Sequence, residues 1–129
     1  MKVFLGGTCN ETAWRDELIP LLKIDYFNPV VEDWTPECQK IEREEKNAYC
    51  KLHLYVITSE MKGVFSIAEA VQSSNDKYKF TIFVIIEKGF DESELKSLTA
   101  VGNLIIENGG IVKYNPSIKE LADMLNVFK

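Results

Sequence analysis

A single histidine, His53, and three scattered cysteines, Cys9, Cys38 and Cys50, are all the soft metal ligands in 129 residues. An odd number of cysteines with no close-set pair argues against a disulfide framework and against a zinc cage. Free thiols point instead to a reducing, cytoplasmic setting. No apolar run approaches the roughly 20 residues needed to span a bilayer. Met1 is followed by Lys2 and a short strand-like run, not by a long apolar segment with a cleavage site, so neither a signal peptide nor a membrane partner is expected. Positive charge is short too: 15 Lys and Arg stand against 20 Asp and Glu, a net charge of -5. Nucleic acid is therefore not expected as a partner, although an acidic chain can hold a small phosphate at one loop or helix N-terminus.

What remains is ordinary globular material. Apolar residues make up 46% and charged residues 27%, enough to bury a sizeable core. The length suits one domain over residues 1–129. Lys2-Val3-Phe4-Leu5 reads as a short buried strand that Gly6-Gly7-Thr8 breaks, with Asn10 capping a helix through Trp14 and Leu22 that Pro20 kinks or ends. Ile24 to Phe27 reads as a second strand. Thr35-Pro36-Glu37 opens a helix to about Cys50. Leu52 to Thr58 is a third strand, followed by a short helix from about Ser66 to Ser73. Phe80 to Ile86 has the continuous β-branched and aromatic character of a strand buried on both faces. Asp91 caps a helix from Glu92 to about Glu107 that Asn108-Gly109-Gly110 ends. Ile111 to Tyr114 is a fifth strand, and Ser117 caps the last helix. Strict alternation of strands and helices predicts an α/β fold: a three-layer, mostly parallel five-stranded sheet of order 2-1-3-4-5, flavodoxin-like. Ligands of such sheets bind beyond the carboxyl ends of the strands. That rule gathers the loops Gly6 to Asn10, Asn28 to Trp34, Thr58 to Ser66 and Glu87 to Phe90.

Three of these loops hold candidate site residues. Gly6, Gly7, Thr8 and Asn10 follow the first strand, where glycine permits close approach to the backbone and a helix start offers free N–H groups. The spacing is neither a dinucleotide fingerprint nor a P-loop, and a tight turn explains it equally well. Asp33 beside Trp34 suits a sugar or base contact, a stacking ring next to a hydrogen-bonding carboxylate. Trp34 covering the core beside a solvated Asp33 is the plainer alternative. Glu69 is one acid inside the apolar run Val64-Phe65-Ser66-Ile67-Ala68-Glu69-Ala70-Val71, placed to attack an anomeric carbon. Ser66 to Glu69 also fits a capping box, as do Asp91 to Glu94 and Ser117 to Glu120, and taken alone the spacing favours the cap. The run Glu42-Arg43-Glu44-Glu45-Lys46 reads as a solvated helix face, and His53 as a satisfied core or edge histidine.

In order along the chain, Leu5-Gly6-Gly7-Thr8, Trp14-Arg15, Tyr26-Phe27-Asn28-Pro29, Asp33-Trp34, Leu54-Tyr55-Val56-Ile57-Thr58 and Ser66-Ile67-Ala68-Glu69 resemble the nucleoside 2-deoxyribosyltransferase-like superfamily. The likeness is to its small bacterial and phage members. The resemblance implies that Glu69 attacks C1′ of the deoxyribose and holds the sugar as a glycosyl-enzyme, with a second carboxylate from Asp33 or from Glu42 or Glu45. It implies that Gly6, Gly7 and Thr8 floor the pocket, that Asn28 and Asp33 contact base or sugar, and that Ser66 faces the 5′ end. The Asp-x-Gly-like stretch of such transferases is here Glu60-Met61-Lys62-Gly63, a departure that leaves the proton donor unassigned.

The expected activity is cleavage or transfer at the N-glycosidic bond of nucleosides or nucleoside monophosphates. The expected partner is a small nucleoside or nucleotide, with no metal or organic cofactor, and a homo-oligomer is implied by the resemblance. Two rival readings are a non-catalytic nucleotide-binding module for sensing or sequestering, and a flavodoxin-like regulatory domain without a small ligand.

Overall fold

The computed structural model describes residues 1–9, 12–31 and 33–129. Five parallel strands form one sheet in the order 2-1-3-4-5: β1 Lys2–Gly7, β2 Asp25–Phe27, β3 Leu52–Ile57, β4 Phe80–Ile85 and β5 Ile111–Tyr114. The helices are α1 Trp14–Leu18, α2 Pro36–Glu44, α3 Phe65–Ser74, α4 Glu92–Glu107 and α5 Ile118–Asn126. The α/β architecture and the strand order are as the alternation of elements predicts.

Period-two patterning sends alternate strand residues to opposite faces. Val3, Leu5, Leu52, Leu54, Val56, Ile82 and Val84 pack with Trp14 and Leu18 of α1 and with Leu121 and Leu125 of α5. The residues between them point the other way. Phe4, Tyr55, Ile57, Phe83 and Ile85 pack with Ala70 of α3 and with Leu98 and Ile105 of α4. The first face is wholly apolar along β3 and β4. The second also carries His53, Tyr55 and Thr81, all buried.

Three boundaries differ from the sequence expectation. β1 runs on through Gly6 and Gly7, which pair with Tyr55 and Val56 of β3 rather than breaking the strand. The first helix begins at Trp14, with Ala13 in the cap position and no side-chain cap, and a 3₁₀ turn at Ile19–Leu21 carrying Pro20 ends it. The proposed cap, Asn10, lies outside the described residues. The helix before β3 does not continue regularly to Cys50. Thr35 caps it as expected, its Oγ1 accepting from the Cys38 N–H at 3.2 Å. A π turn then follows at Glu45–Tyr49, closed by the Cys50 N–H donating to the Glu45 carbonyl at 2.7 Å.

Side chains collect the carbonyls that this turn leaves over. His53 Nε2 donates to the carbonyls of Lys46 (2.8 Å) and Cys50 (3.0 Å). Lys79 Nζ donates to those of Asn47 (2.7 Å) and Cys50 (3.1 Å). With the ring proton on Nε2, His53 Nδ1 accepts from Ser73 Oγ at 3.0 Å and faces the Tyr55 hydroxyl at 3.3 Å. Ser73 Oγ is in turn 2.6 Å from Thr81 Oγ1. His53 is thus a satisfied core histidine whose work is to fix the end of the helix before β3. Burial lowers its pKa from 6.5 to about 4, against the opposing pull of the two carbonyls.

Two consequences are measurable. A Cβ at Gly6 would come within 2.6 Å of the Tyr55 ring, so Gly6→Ala is expected to cost about 1–3 kcal/mol in urea unfolding. His53 is bound in its neutral form, so its contribution is complete above the unfolded pKa of 6.5 and is lost as pH falls toward the folded value of about 4. Across that window the stability of the wild type should fall by about 3 kcal/mol more than that of His53→Gln.

Candidate active site

The carboxyl end of β1 is held by one arginine. Arg15 is 5% exposed and donates Nε to the Leu5 carbonyl (2.9 Å), Nη1 to Thr8 (2.7 Å) and Nη2 to Gly7 (3.3 Å). The Trp14 indole N–H donates to the same Thr8 carbonyl at 3.1 Å. The fixed fork of the guanidinium suits three converging acceptors. Across the strand ends, Thr8 Oγ1 accepts from the Thr58 N–H at 3.0 Å. From α3, Ser66 Oγ donates to the Gly7 carbonyl at 3.3 Å. Gly7, Thr8 and Ser66 line a cavity of about 160 Å³ with Cys9, Met61, Gly63 and Phe65. Gly6 lies deeper, beneath the Tyr55 ring.

Glu69 does not cap its helix. α3 begins at Phe65 with Val64 in the cap position and no side-chain cap, whereas Asp91 with Glu94 and Ser117 with Glu120 each form a complete capping box. Ser66 already lies inside the first turn, so Glu69 sits too far along the helix to reach back. This corrects the preference for the cap. Glu69 is 8% exposed, and its Oε2 accepts from Lys46 Nζ at 2.7 Å. That ammonium stands 5.9 Å from the centre of the Phe65 ring.

A second carboxyl group lies nearby. Burial raises the pKa of Glu42, the charge of Glu69 raises it further, and Lys46 and Arg15 oppose the shift. Arg15, Glu42, Lys46 and Glu69 therefore form one charge cluster. Burial, then the Glu69 charge, also raises the pKa of Tyr55 and keeps its phenol protonated. Two further cavities adjoin the cluster. One of about 330 Å³ is lined by Trp34, Gln39, Glu42, Arg43, Lys46 and Phe65. Another of about 150 Å³ is lined by Lys46, Lys79, His53, Tyr55, Glu69, Gln72, Ser73 and neighbours. Phe65 links the first cavity to the second and Lys46 the second to the third.

Gly7, Thr8 and Ser66 thus share one cavity at the strand ends, Glu69 lines another with Lys46, and Trp34 borders the cavity that adjoins both, exposed rather than covering the core. Asn28 is half-buried, and its Oδ1 accepts from the Val30 N–H at 3.1 Å within its own turn. Asp33 is exposed on the loop leading to α2. Asn10 is outside the described residues. The charge run is only partly a solvated face: Glu42 is half-buried, Glu45 pairs with Lys2 at 2.7 Å, and Lys46 turns to Glu69. Lys46 and Arg15 are the residues to which sequence reasoning gave no site role, the one read as part of a solvated face and the other only as part of a motif. Lys46 looks like any helix-surface lysine, and only the π turn and its carbonyl bond to His53 aim it inward. Among the described residues, no group of three or more His, Cys, Asp or Glu is placed to hold a metal ion, and no helix is long and apolar enough to cross a membrane.

Comparison with known families gives one match. Residues 1–90 fit the family described as nucleoside 2-deoxyribosyltransferase like. No curated protein and no solved structure matches the chain. Since the family match runs from β1 through β4 and takes in both the first loop and Glu69, the chain belongs to the nucleoside 2-deoxyribosyltransferase-like family.

Proposed function

We propose that this protein cleaves or transfers at the N-glycosidic bond of (deoxy)nucleosides or nucleoside monophosphates, with Glu69 as the nucleophile. The observation that carries this reading is the position of Glu69: turned away from its own helix start, held by Lys46, and next to a carboxyl group of raised pKa. A Glu69 oxygen attacks C1′ while the C1′–N bond breaks, and the departing base takes a proton from the second carboxyl group. The glycosyl ester on Glu69 is then attacked by water in a hydrolase, or by a second base in a transferase, and the second carboxylate takes back the proton.

Of the acids considered for that second role, Glu42 is favoured. Its burial and the Glu69 charge both favour the protonated form that a donor needs. Glu45 is engaged with Lys2, and Asp33 is exposed. Asp33 and Asn28 are retained as base or sugar contacts from the β2–α2 loop, with Trp34 as a stacking surface. Gly7, Thr8 and Ser66 would line the floor with Gly6 beneath them. A homo-oligomer would bring a second chain to this open edge.

A second reading is favoured by the same ion pair. A carboxylate already neutralised by Lys46 suits a nucleotide-binding module that senses or sequesters without turnover. The deciding measurement is chromatography of deoxynucleosides and their monophosphates after incubation with the protein, with and without a second free base. Released or exchanged base is expected, reduced about 10³-fold or more in Glu69→Gln and about 10²-fold in Glu42→Gln. Because the donor must be protonated, activity should fall as pH rises through the Glu42 pKa, and that alkaline limb should vanish in Glu42→Gln. Saturable binding without released base would overturn the enzyme reading in favour of the module.

A further inference from the structure

We infer that Lys46 is a phosphate-operated latch on Glu69, so that the substrate is a nucleoside monophosphate rather than the free nucleoside. This rests on the N-glycoside reading above and narrows it.

The starting observation is that the nucleophile is covered. Lys46 Nζ lies 2.7 Å from Glu69 Oε2, with side-chain exposures of only 16% and 9%. At that depth neither charge is stable alone. Lys46 occupies one of the two carboxylate oxygens, and attack by Glu69 on the sugar carbon converts the carboxylate to a neutral ester, which removes the counter-charge of Lys46 altogether. A free nucleoside brings nothing to replace it. A phosphate on the same substrate does.

Geometry permits the exchange, because Lys46 borders the cavities of about 330 and 150 Å³ and its flexible four-carbon stem can carry the ammonium between them. The larger cavity also has Arg43 on its wall and the Phe65 ring beneath the ammonium. The π turn fixes the backbone of Lys46 through His53, so only the side chain has to move.

Calorimetric titration with each common deoxynucleoside and its 5′-monophosphate tests this. Wild type should bind the monophosphate at least about tenfold more tightly than the nucleoside, the scale of a hydrogen bond to a charged group. Glu69→Gln frees Lys46 and should widen that preference by about tenfold more, while losing turnover. Lys46→Gln should bind both forms equally, and Lys46→Arg should keep the preference. Equal affinities in wild type and Glu69→Gln would overturn the latch, as would a preference that survives in Lys46→Gln. Should Lys46→Gln not fold, the comparison of wild type with Glu69→Gln decides the matter alone. A monophosphate preference without release of base would leave the latch standing and remove the glycoside chemistry.

Discussion

The Lys46–Glu69 ion pair is the constraint around which this side of the molecule is arranged. A carboxylate packed against a sheet face is tolerable only with a counter-charge close by, and here that charge comes from another helix. Its placement is relayed through buried polar groups. Thr81 of β4 meets Ser73 of α3, Ser73 meets His53 of β3, and His53 holds the Lys46 carbonyl in the π turn. Four separate pieces of chain therefore fix the backbone from which this ammonium reaches Glu69. Irregular turns of this kind often occur at functional sites, and here His53 and Lys79 take up the carbonyls of Lys46, Asn47 and Cys50.

The two faces of the sheet divide the labour. The face covered by α1 and α5 is apolar along β3 and β4. The face covered by α3 and α4 alternates apolar packing with His53, Tyr55 and Thr81. Burial keeps those groups neutral: it pushes the histidine down to about 4 and the tyrosine up. The neighbouring Cys50 thiol is pushed up to about 12 by the same burial and is inert at neutral pH. Charge on this side is carried by Arg15, Glu42, Lys46 and Glu69, with Lys79 and the Lys2–Glu45 pair around the π turn.

Much of the fold was legible because local and global signals agree. Phe80 to Ile85 is a continuous β-branched and aromatic run, buried from Thr81 onward, and the capping boxes at Asp91 and Ser117 sit just ahead of their helices. The site was legible only in outline. The first loop and Glu69 are visible in order and spacing, but the third S-x-x-E, at Ser66, forms no cap, since the helix starts two residues earlier than the pattern implies. No local signal tells a lysine that reaches a buried acid from one that reaches water. Lys46 becomes exceptional only through an acid 23 residues further on and a histidine carried by the next strand. Arg15 was visible in the Trp14-Arg15 motif but its role was not, because its partners are carbonyls and carbonyls have no sequence.

The contact between Gly6 and the Tyr55 ring has one more consequence. These two positions face each other across β1 and β3, so the glycine is a socket and the tyrosine its plug. Neither can drift alone in the course of evolution: a larger residue at 6 demands a smaller ring at 55, and a smaller residue at 55 leaves a hole beside the hydroxyl that faces His53. Since Tyr55 also lies within the field of Glu69, the fit between these two strands and the electrostatics around Glu69 are tied together, as a single coupled trait.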